Sequence, residues 1–151
     1  MIKNYTSTVP VSRSVQHIED CLIKHGAHNI LKMYDAEKKL ESICFIISVD
    51  GKDIPFKLPA SVNKVENVLK AAVKRPTSKT YQNIKEQAER TAWKLQSDWV
   101  DVQMSLIELS QVEIMQVFLA YVYFPAQKVT YFEKLKDSHF KMLTGEVNGN
   151  G

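Results

Sequence analysis

The run AERTAWKLQSDWVDVQMSLIEL, residues 88–109, decides the fold. It holds no proline or glycine and its apolar residues recur at intervals of three and four, so it is the core of a long helix from about Tyr81 to Ser110. At about 100° per residue, Trp93 and Trp99 point roughly 120° apart. One stripe carries Ala88, Ala92, Leu95, Trp99, Val102, Leu106 and Leu109, and a second carries Trp93, Val100, Met104 and Ile107. More than half of the circumference is apolar, and such a helix must be covered on two sides. The first stripe is assigned to a sheet, with Trp99 at its centre. The second stripe faces either a later helix or another subunit. In the latter case Trp93, Val100, Met104 and Ile107 form the interface of a homo-oligomer across a two-fold axis.

Working outward toward the N-terminus, NYTSTVPV alternates like a short strand, and VQHIEDCLIKHG is an amphipathic helix capped by Ser12 or Ser14 and stopped at Gly26. Then come NILKMYD, SICFIISVD and KDIPFKLPA, the last two joined through Asp50-Gly51, a strong short-range hairpin signal. The middle run is apolar on both faces, which marks the centre of a sheet. Pro55 and Pro59 cannot donate to a ladder, so the third run belongs at an edge. Ser61 opens a further helix, stopped near Pro76, and PTSKT is a linker. Beyond the long helix, VEIMQVFLAYVYF and VTYFEKLKDSHFKML are two more helices divided by Pro125. The expectation is an α+β fold in one domain over residues 1–145, with a flexible tail over 146–151. A small antiparallel sheet of about four strands packs on a helical C-terminal half.

With 151 residues and 44% apolar composition the chain can bury a core without disulfide or metal support. The N-terminus has no apolar signal-peptide core and no window is long enough to span a bilayer, so a cytoplasmic protein is expected, with no membrane partner. Cys21 and Cys44 cannot build a disulfide framework and are expected to be small, buried apolar residues.

Chemical motifs are scarce. There is no nucleophile elbow, phosphate-binding glycine loop, dinucleotide fingerprint or HExxH, so no catalytic residue and no cofactor is expected. Cys21, His25 and His28 have ligand-like spacing, but Gly26 breaks the helix between them, and no metal site is assigned. Asp35, Glu41 and Lys57 are the carboxylates and lysine that a metal-dependent nuclease would use, and this is the third-ranked reading. The net charge of +3 is unevenly spread, since residues 61–80 hold five basic groups against one acidic. Lys57, Lys74, Arg75, Arg90 and Lys94, with Tyr81 or Trp93 for stacking, are the candidate set for an anionic ligand, a nucleotide or a nucleic acid.

GKDIPFKLPA followed by a helix, then AERTAWKLQSDWVDVQMSLIEL, VFLAYV and FEKLKDSHFKMLTG, resembles a widespread group of small bacteriophage- and prophage-encoded proteins. The pattern Arg90, Trp93, Asp98, Trp99, Gln103 is the most specific part. Where the group has proline after VFL this chain has Ala120, which suggests a straighter helix there. The group brings no established activity, so no functional residue carries over. What the resemblance implies is a non-enzymatic phage accessory protein in the host cytoplasm. Such a protein would capture a host signalling nucleotide as an anti-defence factor or bind nucleic acid; the alternative is a protein–protein interaction factor that inhibits or recruits a host protein.

Overall fold

The computed structural model describes residues 1–145, so the tail expected over 146–151 lies outside the described residues. Helix α1 (Val11–Lys24) leads into strands β1 (Ala27–Tyr34), β2 (Leu40–Val49) and β3 (Lys52–Pro59), then α2 (Val62–Ala71) and the long α3 (Ser78–Glu108). A compact C-terminal segment follows: α4 (Ile114–Phe118), a 3₁₀ turn (Leu119–Tyr121), β4 (Tyr123–Phe124), β5 (Val129–Thr130), α5 (Tyr131–Asp137) and a second 3₁₀ turn (Lys141–Thr144). The fold is α+β. No helix among the described residues is long and apolar enough to cross a membrane.

The sheet is antiparallel in the order β1-β2-β3, with β2 at the centre and the proline-bearing β3 at an edge. Asp50 and Gly51 both have positive φ, 50° and 75°, the backbone that a two-residue turn between twisted strands requires. The register sets Phe45 opposite Phe56 and Ile43 opposite Leu58, so these side chains share one face with Ile47 and all are buried. Val15, Ile18 and Leu22 of α1 close on the same core.

Several expectations fail for identifiable reasons. The sheet has three strands rather than four, with β4 and β5 forming a separate pair. The first residues make no strand; they run beside α3, where Thr91 Oγ1 donates to the Asn4 carbonyl (2.9 Å) and Gln87 Nε2 to the Ser7 carbonyl (3.0 Å). Polar side chains on α3 therefore satisfy a backbone that could otherwise have joined a ladder. Neither Ser12 nor Ser14 caps α1, since Pro10 stands at that position and Ser14 is buried. The supposed linker is short, because Thr77 caps α3 by accepting from the Thr80 amide. Cys21 and Cys44 are half-buried, not fully inside.

The two tryptophans exchange roles. Trp93 is 1% exposed and its indole N–H donates to the Leu40 carbonyl at the start of β2, 3.3 Å away. Trp99 is half-buried and meets the edges of Phe118 and Tyr121 at centroid distances of 5.5 and 5.7 Å. The second stripe thus lies in the core together with Ala88 and Ala92 of the first, while Val102 and Leu109 of the first stripe are exposed. A buried indole needs an acceptor, and the Leu40 carbonyl at the start of β2 supplies one to Trp93. The proposed subunit seam is corrected accordingly: Trp93, Val100 and Met104 are buried within the chain and Ile107 packs against the same core. The segment after α3 is not a straight helix either, because α4 ends at Phe118 and turns as 3₁₀ through Ala120. The pair β4-β5 then extends beside β3, with Val122 bridged to Phe56.

Candidate functional site

The six expected ligand-binding residues fall in separate places. Lys74 and Arg75 are exposed in the connection after α2, and Tyr81, 43% exposed, opens the first turns of α3. Lys70 holds its ammonium 5.6 Å from the Tyr81 ring centroid across the α2–α3 connection that carries Lys74 and Arg75, and exposed Lys79 lies between Arg75 and Tyr81 in sequence. Among the described residues no carboxylate pairs with Lys74, Arg75 or Lys79.

The other three are engaged elsewhere. Arg90 donates through Nε to the Ser7 carbonyl (3.3 Å) and through its terminal nitrogen to Gln87 Oε1 (2.7 Å), which pins the N-terminal segment. Lys94 pairs with Asp98, whose other oxygen accepts from Asn4 Nδ2 (2.9 Å). Burial raises the Asp98 pKa, yet the hydrogen bonds from Lys94 and Asn4 and the charges of Lys94 and Lys3 outweigh it and hold the carboxyl below its ordinary value. Lys57 lies opposite Cys44 on the sheet face away from the core, over the Tyr123 ring. Trp93 is enclosed and offers no face for stacking. The pattern Arg90, Trp93, Asp98, Trp99 thus has a structural account in holding the chain together; nothing in the structure explains Gln103.

A cleft of about 760 Å³ opens between the β1–β2 turn, α2 and α3. Lys39 and Lys70 on its wall are paired with Glu89 and Glu66, leaving Lys64 and Lys85 against Asp35, Glu37 and Glu41. That balance repels a phosphate group. The nuclease set does not assemble: Asp35 accepts from the amides of Glu37 and Lys39 in a turn, and strand alternation puts Glu41 and Lys57 on opposite faces.

The histidines with ligand-like spacing to Cys21, to which no metal site is assigned, engage partners other than its thiol. His25 Nδ1 donates to the Cys21 carbonyl (2.8 Å) while its Nε2 lies 3.3 Å from Glu108, and His28 lies 3.7 Å from Asp53. In their place His17, one turn earlier on α1, reaches Cys21, and Asp101 of α3 completes a trio whose ligand atoms all lie within 4.8 Å of one another. His17 Nε2 is 3.1 Å from Asp101 Oδ1 and 3.6 Å from Cys21 Sγ. Partial burial and the charges of Asp101 and Asp20 push the Cys21 thiol up. The pair His17 and Cys21, spaced four apart on a predicted helix, was the available signal; the partner on α3 had none.

No protein-family model, curated protein or solved structure matches the chain.

Proposed function

We propose that this is a non-enzymatic accessory protein of the phage type that binds a nucleic-acid backbone through the corner between α2 and α3. The observation that supports it is the group Lys74, Arg75 and Lys79, exposed and without carboxylate partners among the described residues, beside a half-exposed Tyr81 that already lies under one ammonium. Such a surface suits the evenly spaced charges of a polyanion, with the ring available to an unpaired base. Capture of a single nucleotide, as an anti-defence factor would perform it, fits less well. That task needs a concave, phosphate-accepting pocket, and the cleft between the β1–β2 turn, α2 and α3 carries the carboxylates of Asp35, Glu37 and Glu41, which have no cation partner among the described residues.

The test is a salt titration of binding to single-stranded and duplex oligonucleotides by the intact protein and by a Lys74→Ala, Arg75→Ala, Lys79→Ala variant. Each phosphate contact contributes roughly 0.7 to 0.9 to the slope of log K against log salt, so the variant should lose about two to three from that slope. An unchanged slope rejects the reading.

A second reading has its own observation. β1 pairs with β2 alone among the described residues, and its outer edge carries Leu31 at 61% and Tyr34 at 59% exposure. An unpaired edge is where a partner protein adds a strand. A host protein captured by the intact chain and lost on Leu31→Pro, but retained by the triple variant above, favours this reading instead.

A further inference from the structure

We propose that His17 Nε2, Cys21 Sγ and Asp101 Oδ1 form a binding site for a divalent ion of the zinc class, with a fourth position open to water. Helix geometry supplies two of the ligands. Residues four apart on α1 lie on one face, and the packing of α1 on α3 brings Asp101 to the same point.

The spacing suits the ion. With zinc–nitrogen and zinc–oxygen bonds of about 2.0–2.1 Å and a zinc–sulfur bond of about 2.3 Å, tetrahedral edges are roughly 3.3–3.4 Å between nitrogen and oxygen and roughly 3.5–3.6 Å between sulfur and nitrogen. The observed nitrogen–oxygen and sulfur–nitrogen separations are 3.1 and 3.6 Å, and the sulfur–oxygen edge lies within 4.8 Å, so closing that third edge is the movement an ion would require. Both Asp101 and Cys21 approach the same ring nitrogen of His17. A catalytic relay needs the acid on one nitrogen and the thiol on the other, whereas three donor atoms gathered close to one another are what a coordinated ion requires.

Charge agrees as well. A thiolate, a carboxylate and a neutral imidazole carry two negative charges against two positive, and Asp20 adds to the negative potential felt at Cys21. Binding displaces the thiol proton to solvent, one per ion. The mixed nitrogen, oxygen and sulfur donor set selects zinc or cobalt over magnesium and calcium, which prefer oxygen alone. The half-exposed position of His17 and Asp101 gives the ion a route in from solvent.

The experiment is a titration of the reduced, metal-free full chain with cobalt(II), followed by displacement with zinc. Expected are a near-ultraviolet thiolate-to-cobalt band that saturates at one ion per chain and its loss in Cys21→Ser. Affinity should fall by about tenfold or more in His17→Ala and in Asp101→Asn. Cys44→Ser should leave the band unchanged. Absence of the band at saturating cobalt, or its loss in Cys44→Ser while Cys21→Ser retains it, overturns the proposal. If Cys21→Ser fails to fold, the rise in melting temperature with zinc decides: it must occur in the intact protein and be smaller at the same zinc concentration in His17→Ala and Asp101→Asn, and an equal rise in all three overturns the proposal.

Discussion

The indole N–H of Trp93 donates to the carbonyl of Leu40 at the point where β2 begins, tying the middle of α3 to the central strand. Because the ring is enclosed, Trp93→Phe leaves that carbonyl without its partner and vacates part of the site. It should cost about 1–3 kcal/mol in urea unfolding, and Trp93→Ala about 3–5 kcal/mol. Trp99→Phe, half-buried against Phe118 and Tyr121, should cost less than Trp93→Phe. The reverse order would put the sheet-facing role back on Trp99.

Asp98 gives the stability a dependence on acid. Its folded pKa lies below the ordinary value of 3.8, so its contribution is present above that value and is lost as pH falls through the lowered folded one. Asp98→Asn should therefore narrow the gap in melting temperature between pH 6 and the acid range relative to the intact chain. A variant whose acid sensitivity matches that of the intact chain would show that Lys94 and Asn4 do not favour the charged form.

The fold was legible where one residue type forces the backbone. Asp50-Gly51 marked the hairpin, the double-sided apolar run marked β2 as central, and Pro55 and Pro59 marked β3 as an edge. It was illegible where a partner distant in sequence decides. NYTSTVPV alternates as a strand does, yet Thr91, Gln87 and Arg90 of α3 satisfy its carbonyls instead. The sheet went to the Trp99 stripe rather than the one containing Trp93 because a helical wheel counts apolar residues and carries no sign that Leu40 offers an acceptor. Convergence of charges was equally invisible. Of the six candidate ligand residues, Lys74 and Arg75 lie in the α2–α3 connection and Tyr81 just beyond it at the start of α3, while Arg90, Lys94 and Lys57 are held by Ser7, Asp98 and Tyr123.

Ser14 and Ser42 bury hydroxyl oxygens that have no hydrogen-bond partner among the described residues. An unpaired buried hydroxyl costs desolvation without return, so Ser42→Ala should raise stability by about 0.5–1 kcal/mol. Thermal unfolding of Ser14→Ala, Ser42→Ala and the double variant provides the measurement. A loss of more than about 1 kcal/mol at either position would mean that the hydroxyl is satisfied, for example by a buried water.

Arg90 and the α2–α3 corner separate stability from binding, although both entered as cations of one candidate set. Arg90 is half-buried and its bonds to Ser7 and Gln87 hold the N-terminal segment on α3, so Arg90→Ala should cost about 1–2 kcal/mol. Its guanidinium is already engaged, and the slope of nucleic-acid affinity against salt should stay within error of the intact protein. The triple variant of Lys74, Arg75 and Lys79 should do the opposite. Its residues are exposed and unpaired among the described residues, so the melting temperature should hold while the slope falls. Measuring both quantities on both variants makes the assignment decisive. If Arg90→Ala alters the slope as much as the triple variant does, the anion surface extends along α3 and the division drawn here is wrong.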